Sequence, residues 1–138
     1  MTDYEVVLGI VRLAEGLTQR LGETLGPFQL TVGQYGVLQV LREAGAEGLA
    51  CGEIAQRLVT RDPDVTRLVD RLEVRGLVNR RRERPDRRLV RIEITKEGRQ
   101  LLKALDQPIG RLHARHLAPL GKRNLTVLTA LLEASKDV

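Results

Sequence analysis

Asp62-Pro63-Asp64-Val65-Thr66-Arg67-Leu68-Val69-Asp70-Arg71-Leu72-Glu73-Val74-Arg75-Gly76 is the stretch on which the fold turns. Asp62 is placed to cap a helix and Pro63 to occupy its first position, which predicts a helix from Pro63 to Arg75. Val65, Leu68, Val69 and Leu72 recur at i, i+3, i+4 and i+7 and face inward; Asp64, Thr66, Arg67, Asp70 and Arg71 are left outside. Gly76 suits a left-handed stop. Just upstream, Cys51 to Leu58 forms a shorter helix with Ile54, Ala55 and Leu58 on one side and Glu53, Gln56 and Arg57 on the other. Val59-Thr60-Arg61 turns between the two. Two short helices about a tight turn, the second displaying Thr and Arg, spell a helix-turn-helix, whose second helix fits a major groove about 12 Å wide. The plainer alternative is an ordinary antiparallel helix pair.

A hairpin directly downstream disfavours that alternative. Leu77 to Arg80 runs out as a strand and Leu89 to Ile94 returns, with Val90, Ile92 and Ile94 alternating against Leu89, Arg91 and Glu93 and Pro85-Asp86 at the tip. Between Arg80 and Arg91 stand Arg80, Arg81, Arg82, Arg84, Arg87, Arg88 and Arg91 against Glu83 and Asp86, a local balance of +5. The whole protein also carries +5, so the remainder is neutral. A charge excess packed into one hairpin is a directed field that a polyanion would answer. Taken alone, such a run is as readily a solvated surface that keeps the protein soluble.

Composition narrows the partner. With 138 residues, 42% of them hydrophobic and 30% charged, the chain fits one globular domain with a real core. Its apolar runs are too short to span a membrane, and its acidic start is unlike a signal peptide, so we expect no membrane and a cytoplasmic location. The single Cys51 excludes an internal disulfide and a multi-cysteine metal site. Tyr4, Phe28 and Tyr35 are the only aromatic residues. Single-stranded nucleic acid is gripped by stacking on such rings, so the basic surface suits a duplex backbone. No metal and no cofactor is expected.

The flanking segments are helical. Asp3 to Leu25 carries two apolar stripes: Tyr4, Val7, Val11, Ala14, Leu21 and Leu25, and beside them Val6, Ile10, Leu13 and Leu17. One stripe can cover the protein's own core, and the other calls for a two-fold mate. Gly26-Pro27 stops this helix. Thr31 and Gln34 form a capping box for the next, with Leu30 and Tyr35 placed as its hydrophobic staple and Val37, Leu38 and Leu41 inward. Gly45 and Gly48 break it, leaving room for a bridging strand at most. Thr95 caps a long helix carrying Leu101, Leu102, Leu105, Ile109 and Leu112, with Pro108 placed to bend it. A last helix starts near Lys122.

Thr31-x-x-Gln34-x-x-Val37-Leu38-x-x-Leu41, Glu53-Ile54-Ala55-x-x-Leu58, Val65-Thr66-Arg67-Leu68-Val69-Asp70-Arg71-Leu72-Glu73-x-x-Gly76-Leu77-Val78-x-Arg80, Pro85-Asp86-x-Arg88 and Ile94-Thr95-x-x-Gly98, in this order and spacing, resemble the MarR family of bacterial winged helix-turn-helix regulators. The resemblance is close over residues 30 to 98. It implies a mainly α fold with a small β-wing, one domain over 1–138: a winged helix-turn-helix at 30–95 flanked by dimerisation helices at 3–25 and 96–135. It further implies a homodimer over a pseudo-palindromic double-stranded operator, repression of nearby genes, and release by a small, often aromatic effector or by oxidation.

Carried over residue by residue, the recognition region maps onto Arg61, Asp62, Asp64, Thr66, Arg67 and Arg71. The wing maps onto Arg82, Arg84, Asp86, Arg87 and Arg88, with Arg88 entering the minor groove and Asp86 holding the wing. Three departures stand out. Ala50 replaces the usual Ser or Thr cap before the first helix of the motif, Cys51 replaces an apolar residue, and Pro63-Asp64 replaces Ser and Thr. The plainer role for Arg67 and Arg71 is pairing with Asp70 or Glu73. An effector pocket is expected between the dimerisation helices and the winged part, with Tyr35 and Arg12 as candidate contacts.

Two other functions use other residues. A thiol-responsive or peroxide-responsive regulator would work through Cys51, which is more simply a small core side chain. An enzyme would have to use His113 and His116, the only histidines. A protein binding DNA without sequence preference is a further alternative.

Overall fold

Eight regular elements follow one another in the computed structural model, which describes residues 2–82 and 89–136. Helix α1 spans Asp3–Leu25, α2 Val32–Ala44, α3 Cys51–Arg57 and α4 Val65–Val74. Strands β1 (Val78–Arg82) and β2 (Val90–Ile94) come next, then α5 (Lys96–Leu117) and α6 (Lys122–Ala134). Short 3-10 turns at Gly26–Phe28, Gly45–Glu47 and Ala118–Leu120 join the helices.

Local chemistry sets most boundaries. At α2 the Gln34 amide donates to the Thr31 hydroxyl (3.1 Å), and the Thr31 amide donates to Oε1 of Gln34 (3.0 Å). Thr2 and Glu5 make the same reciprocal box at α1, a signal that hydrophobic stripes alone do not reveal. At α3 the uncapped Ala50 is half compensated, because its amide donates to the Glu53 carboxylate (3.1 Å).

The start of α4 corrects an expectation. The helix begins at Val65 and not at Pro63, and its cap is Asp64, whose carboxylate accepts from the Arg67 amide (3.0 Å). Asp62 instead accepts from the Asp64 amide (2.8 Å), so Pro63 lies in the approach turn. Two aspartates two residues apart could each cap a helix, and the one three residues before Arg67 does so. Strand β1 likewise reaches two residues further than expected, to Arg82.

The core gathers one face of each element except α6. Leu25, Val37, Leu38, Leu41, Ile54, Val69, Leu72, Val78, Ile92, Leu102 and Leu105 are fully buried together. The strands pair antiparallel with Val78 opposite Ile94, Arg80 opposite Ile92 and Arg82 opposite Val90. Leu49 adds a third, one-residue rung: its amide donates to the Ile92 carbonyl (2.9 Å), and its carbonyl accepts from the Ile92 amide (2.7 Å). This is the bridging strand expected after Gly48.

The end of α4, the root of the hairpin and the start of α5 meet in one knot. Gly76 takes φ +73°, and the Leu77 amide turns back to the Leu72 carbonyl (3.0 Å). The Thr95 amide donates to the Leu77 carbonyl (3.0 Å), and its hydroxyl donates to the Gly76 carbonyl (2.7 Å) while accepting from the Gly98 amide (3.1 Å). A methyl group on Gly98 would overlap the Leu77 carbonyl and Ile94, whereas one on Gly52 in α3 would meet open space.

We expect Gly98→Ala to destabilise the fold by about 1–3 kcal/mol through overpacking. Gly52→Ala should be neutral or stabilising by up to about 1 kcal/mol, since alanine favours helix. Urea unfolding of the two variants side by side checks the contrast.

Candidate nucleic-acid interface

Helix α4 buries Val65, Val69 and Leu72 and turns Thr66, Arg67, Asp70 and Arg71 to solvent. The outward residues are those expected from the sequence, but their pairing is not. Asp70 and Glu73 do not pair with Arg67 or Arg71. Both carboxylates are held by Arg80 of β1, whose Nη1 donates to Glu73 at 2.7 Å and whose Nη2 donates to Asp70. Burial pulls the Arg80 guanidinium down, yet the hydrogen bonds to Asp70 and Glu73 outweigh it and hold the group above its ordinary range.

The same pattern extends across the motif. Glu53 accepts from the Ala50 amide and pairs with Arg91 (3.4 Å), while Glu93 pairs with Arg81 (3.9 Å). With Asp62 and Asp64 both engaged on backbone amides, every carboxylate at 51–82 and 89–95 has a hydrogen-bond donor or an ion-pair partner within the protein. Arg57, Arg61, Arg67 and Arg71 are all exposed, and none has an ion pair among the described residues. The anions of this surface are satisfied internally, and cations remain for an external partner.

Arg75, at the end of α4, has a different task. Its guanidinium donates to the carbonyls of Gln29 (2.6 Å) and Phe28 (3.1 Å), at the bend between α1 and α2. Gln29 sits there at φ +57°, the one described non-glycine residue in the left-handed region. Nothing in the local sequence points to this contact.

Of the wing candidates, Arg82 ends β1 opposite Val90. Arg84, Asp86, Arg87 and Arg88, with the expected tip at Pro85-Asp86, lie outside the described residues. A groove of about 500 Å³ runs between the start of α2 and α4, past Thr31, Asp62, Pro63, Asp64, Arg67 and Arg71. It brings the recognition candidates of α4 together with the capped N-terminus of α2.

A second cavity, of about 430 Å³, opens along α2 beside α1 and α5. Leu21 of α1, Tyr35, Gln39 and Val40 of α2, Arg57 of α3 and His113 of α5 line it. Tyr35 is buried, its hydroxyl accepts from Gln39, and burial pushes its phenol up from the ordinary value. Arg12, the other candidate contact, is exposed on α1 away from this lining. Close by, Arg42 of α2 makes a two-pronged pair with Asp106 of α5 (2.9 and 3.0 Å). Cys51 is half-buried and packs against the core, as a small apolar side chain would.

Comparison with known proteins agrees with this layout. Residues 28–89 match a model of the MarR family. The HTH-type transcriptional regulator TtmR of Methylorubrum extorquens is 38% identical over 104 residues, covering 75% of this chain and 52% of that protein. This chain thus spans about half the length of that curated relative, and the same holds for PrsX of Escherichia coli. Among solved structures, a MarR transcription factor from Planctomyces limnophilus is 37% identical with a TM-score of 0.75, covering 98% of both chains. CouR from Rhodococcus jostii, solved with p-coumaroyl-CoA bound, is 30% identical with a TM-score of 0.76, over 96% of this chain and 90% of that one.

Substitution should separate the arginines by role. Arg67→Ala and Arg71→Ala are expected to leave stability within about 0.5 kcal/mol, as for surface groups without partners. Arg75→Ala, which removes two hydrogen bonds to exposed carbonyls, should cost about 0.5–1.5 kcal/mol. Equilibrium denaturation of the three variants provides the comparison.

Proposed function

Since the chain belongs to the MarR family, we propose that it is a non-enzymatic regulator of transcription that binds a pseudo-palindromic double-stranded operator as a homodimer in the cytoplasm and represses nearby genes. The observation that carries this reading is the division of charge on the winged surface. Carboxylates there are tied to protein donors, while Arg57, Arg61, Arg67 and Arg71 are exposed with no ion pair among the described residues. An exposed arginine on a recognition helix can present its paired donors to guanine, and each such contact discriminates by about 1–3 kcal/mol. In this role Arg67 and Arg71 read bases, Thr66 and Arg61 contact neighbouring groups, and Asp64 and Asp62 hold the start of the helix in register. Arg82, Arg84, Arg87 and Arg88 supply wing attraction to phosphates and minor groove, with Asp86 bracing the wing.

Exposed apolar surface supports the homodimer. Tyr4, Val6, Val7, Ile10, Val11 and Leu13 of α1 are exposed, α6 has no buried residue, and its Val127, Leu131 and Leu132 stand in solvent. A monomer rarely leaves so much apolar surface open. A second copy of the same helices covers it in a two-fold arrangement, with 3–25 and 96–135 as the dimerisation segments.

The cavity beside Tyr35 supports release by a small molecule. It lies where α1 and α5 meet the winged part, with Arg57, His113 and Glu43 as the ionisable groups on an otherwise polar and apolar wall. CouR, solved with p-coumaroyl-CoA, is the precedent for an aromatic effector.

Selection of bound duplexes from a random pool, followed by titration, tests this function. The wild-type protein should enrich a two-fold-related sequence, with affinity falling linearly in log salt. Arg88→Ala should weaken binding to every operator variant alike, and Arg67→Ala or Arg71→Ala should relax preference at particular bases by about 1–3 kcal/mol. Enrichment of no sequence, together with binding indifferent to salt, would overturn it. In sedimentation, Leu131→Glu/Leu132→Glu should shift the dimer to monomer.

A further inference from the structure

The structure assigns Arg80 a task distinct from that of the other arginines of the hairpin: by holding Asp70 and Glu73 together, it keeps both carboxylates of α4 away from the duplex and keeps Asp70 away from Arg67. Arg80 is then a positioning residue that sets the charge of the reading face. The inference rests on the DNA-binding function proposed above.

The sequence places Arg80 at the root of a basic run. The register moves it elsewhere. Arg80 lies opposite Ile92, on the hairpin face that carries Val78, Ile92 and Ile94, and this face is packed toward the core. From there its guanidinium reaches across to α4 and is more buried than either partner, with 27% of its side chain exposed against 58% for Asp70 and 41% for Glu73. It is therefore largely withdrawn from solvent as a cation, and both of its hydrogen-bonding arms are spent on α4.

The consequence comes from helical spacing. Asp70 is three residues from Arg67, a separation at which opposite charges on a helix meet. Without Arg80, the outward face of α4 would hold two cations and two anions. Arg67 would then have an internal partner competing with guanine, and Asp70 and Glu73 would turn negative charge toward phosphates. With Arg80 in place, both carboxylates are bonded, and Arg67 and Arg71 have no ion pair among the described residues. The reversal at Gly76 brings the two elements close enough for this contact.

A plain strut between strand and helix would look the same, so the test opposes the two. The probes are the duplex that the wild-type protein selects from a random pool and a duplex of scrambled sequence, titrated at two salt concentrations. Arg80→Gln should weaken binding to the selected duplex about tenfold or more and lower its preference over the scrambled one. Adding Asp70→Asn and Glu73→Gln to Arg80→Gln should restore affinity to within about threefold of wild type. Asp70→Asn/Glu73→Gln in the presence of Arg80 should bind both duplexes at least as tightly as wild type.

The proposal is overturned if the triple variant stays as weak as Arg80→Gln, if Arg80→Gln binds like wild type, or if Asp70→Asn/Glu73→Gln binds less tightly than wild type. The last result is the one a strut requires. Should Arg80→Gln fail to fold in a urea titration, Asp70→Asn/Glu73→Gln decides the matter alone. A wild-type protein that prefers neither duplex removes the DNA-binding function itself, whereas normal wild-type preference with any of the contrary results removes only the role of Arg80.

Discussion

The hydroxyl of Thr95 holds the molecule together at its busiest point. It donates to the Gly76 carbonyl in the turn that follows α4 and accepts from the Gly98 amide in the first turn of α5, while the Thr95 amide donates to the Leu77 carbonyl just before β1. Helix α4, the hairpin and α5 therefore meet at one residue. No other described contact ties three elements of different purpose so directly, and the absence of a side chain at Gly98 is what lets the backbones approach. An angular change at this knot would move α4, the hairpin and α5 together.

The charge organisation of the surface depends on that knot. Gly76 reverses the chain, the hairpin starts in fixed register, and Arg80 arrives beside Asp70 and Glu73. Such partly exposed ion pairs contribute little to stability, each on the order of 0–1 kcal/mol. Their larger effect is on the potential offered to a polyanion, because they decide which charges remain outward. Arg91 with Glu53, and Arg81 with Glu93, complete the division on the hairpin's outer face, where Arg81 and Arg91 stand directly opposite each other and each has a carboxylate at hand.

Much of this is legible in the amino-acid order. Thr31-Gln34 announces the start of α2, Thr95 that of α5, and the 3.6-residue spacing of Val65, Leu68, Val69 and Leu72 identifies the inward face of α4. All three are local signals, written within one or two helical turns. The start of α4 is misread from sequence because Asp62 and Asp64 are equally good caps in one dimension; the backbone, by spending Asp62 on the Asp64 amide, chooses between them. Contacts between residues far apart in sequence leave no such local mark. Arg75 on the Phe28 and Gln29 carbonyls joins residues 46 and 47 positions apart, and Arg42 on Asp106 spans 64. Arg80 reads as one more cation of the hairpin because nothing in a linear arginine run marks which member turns inward.

Helix α6 carries a further consequence. It is 13 residues long and buries none of them against its own chain. Helices of that length are marginal in water when nothing packs against them. In the proposed dimer, forming this segment and meeting the second copy are therefore a single thermodynamic event, and the abundance of the protein sets how much of its C-terminal end is folded. In such a dimer, dilution would loosen this segment as well as separate the copies.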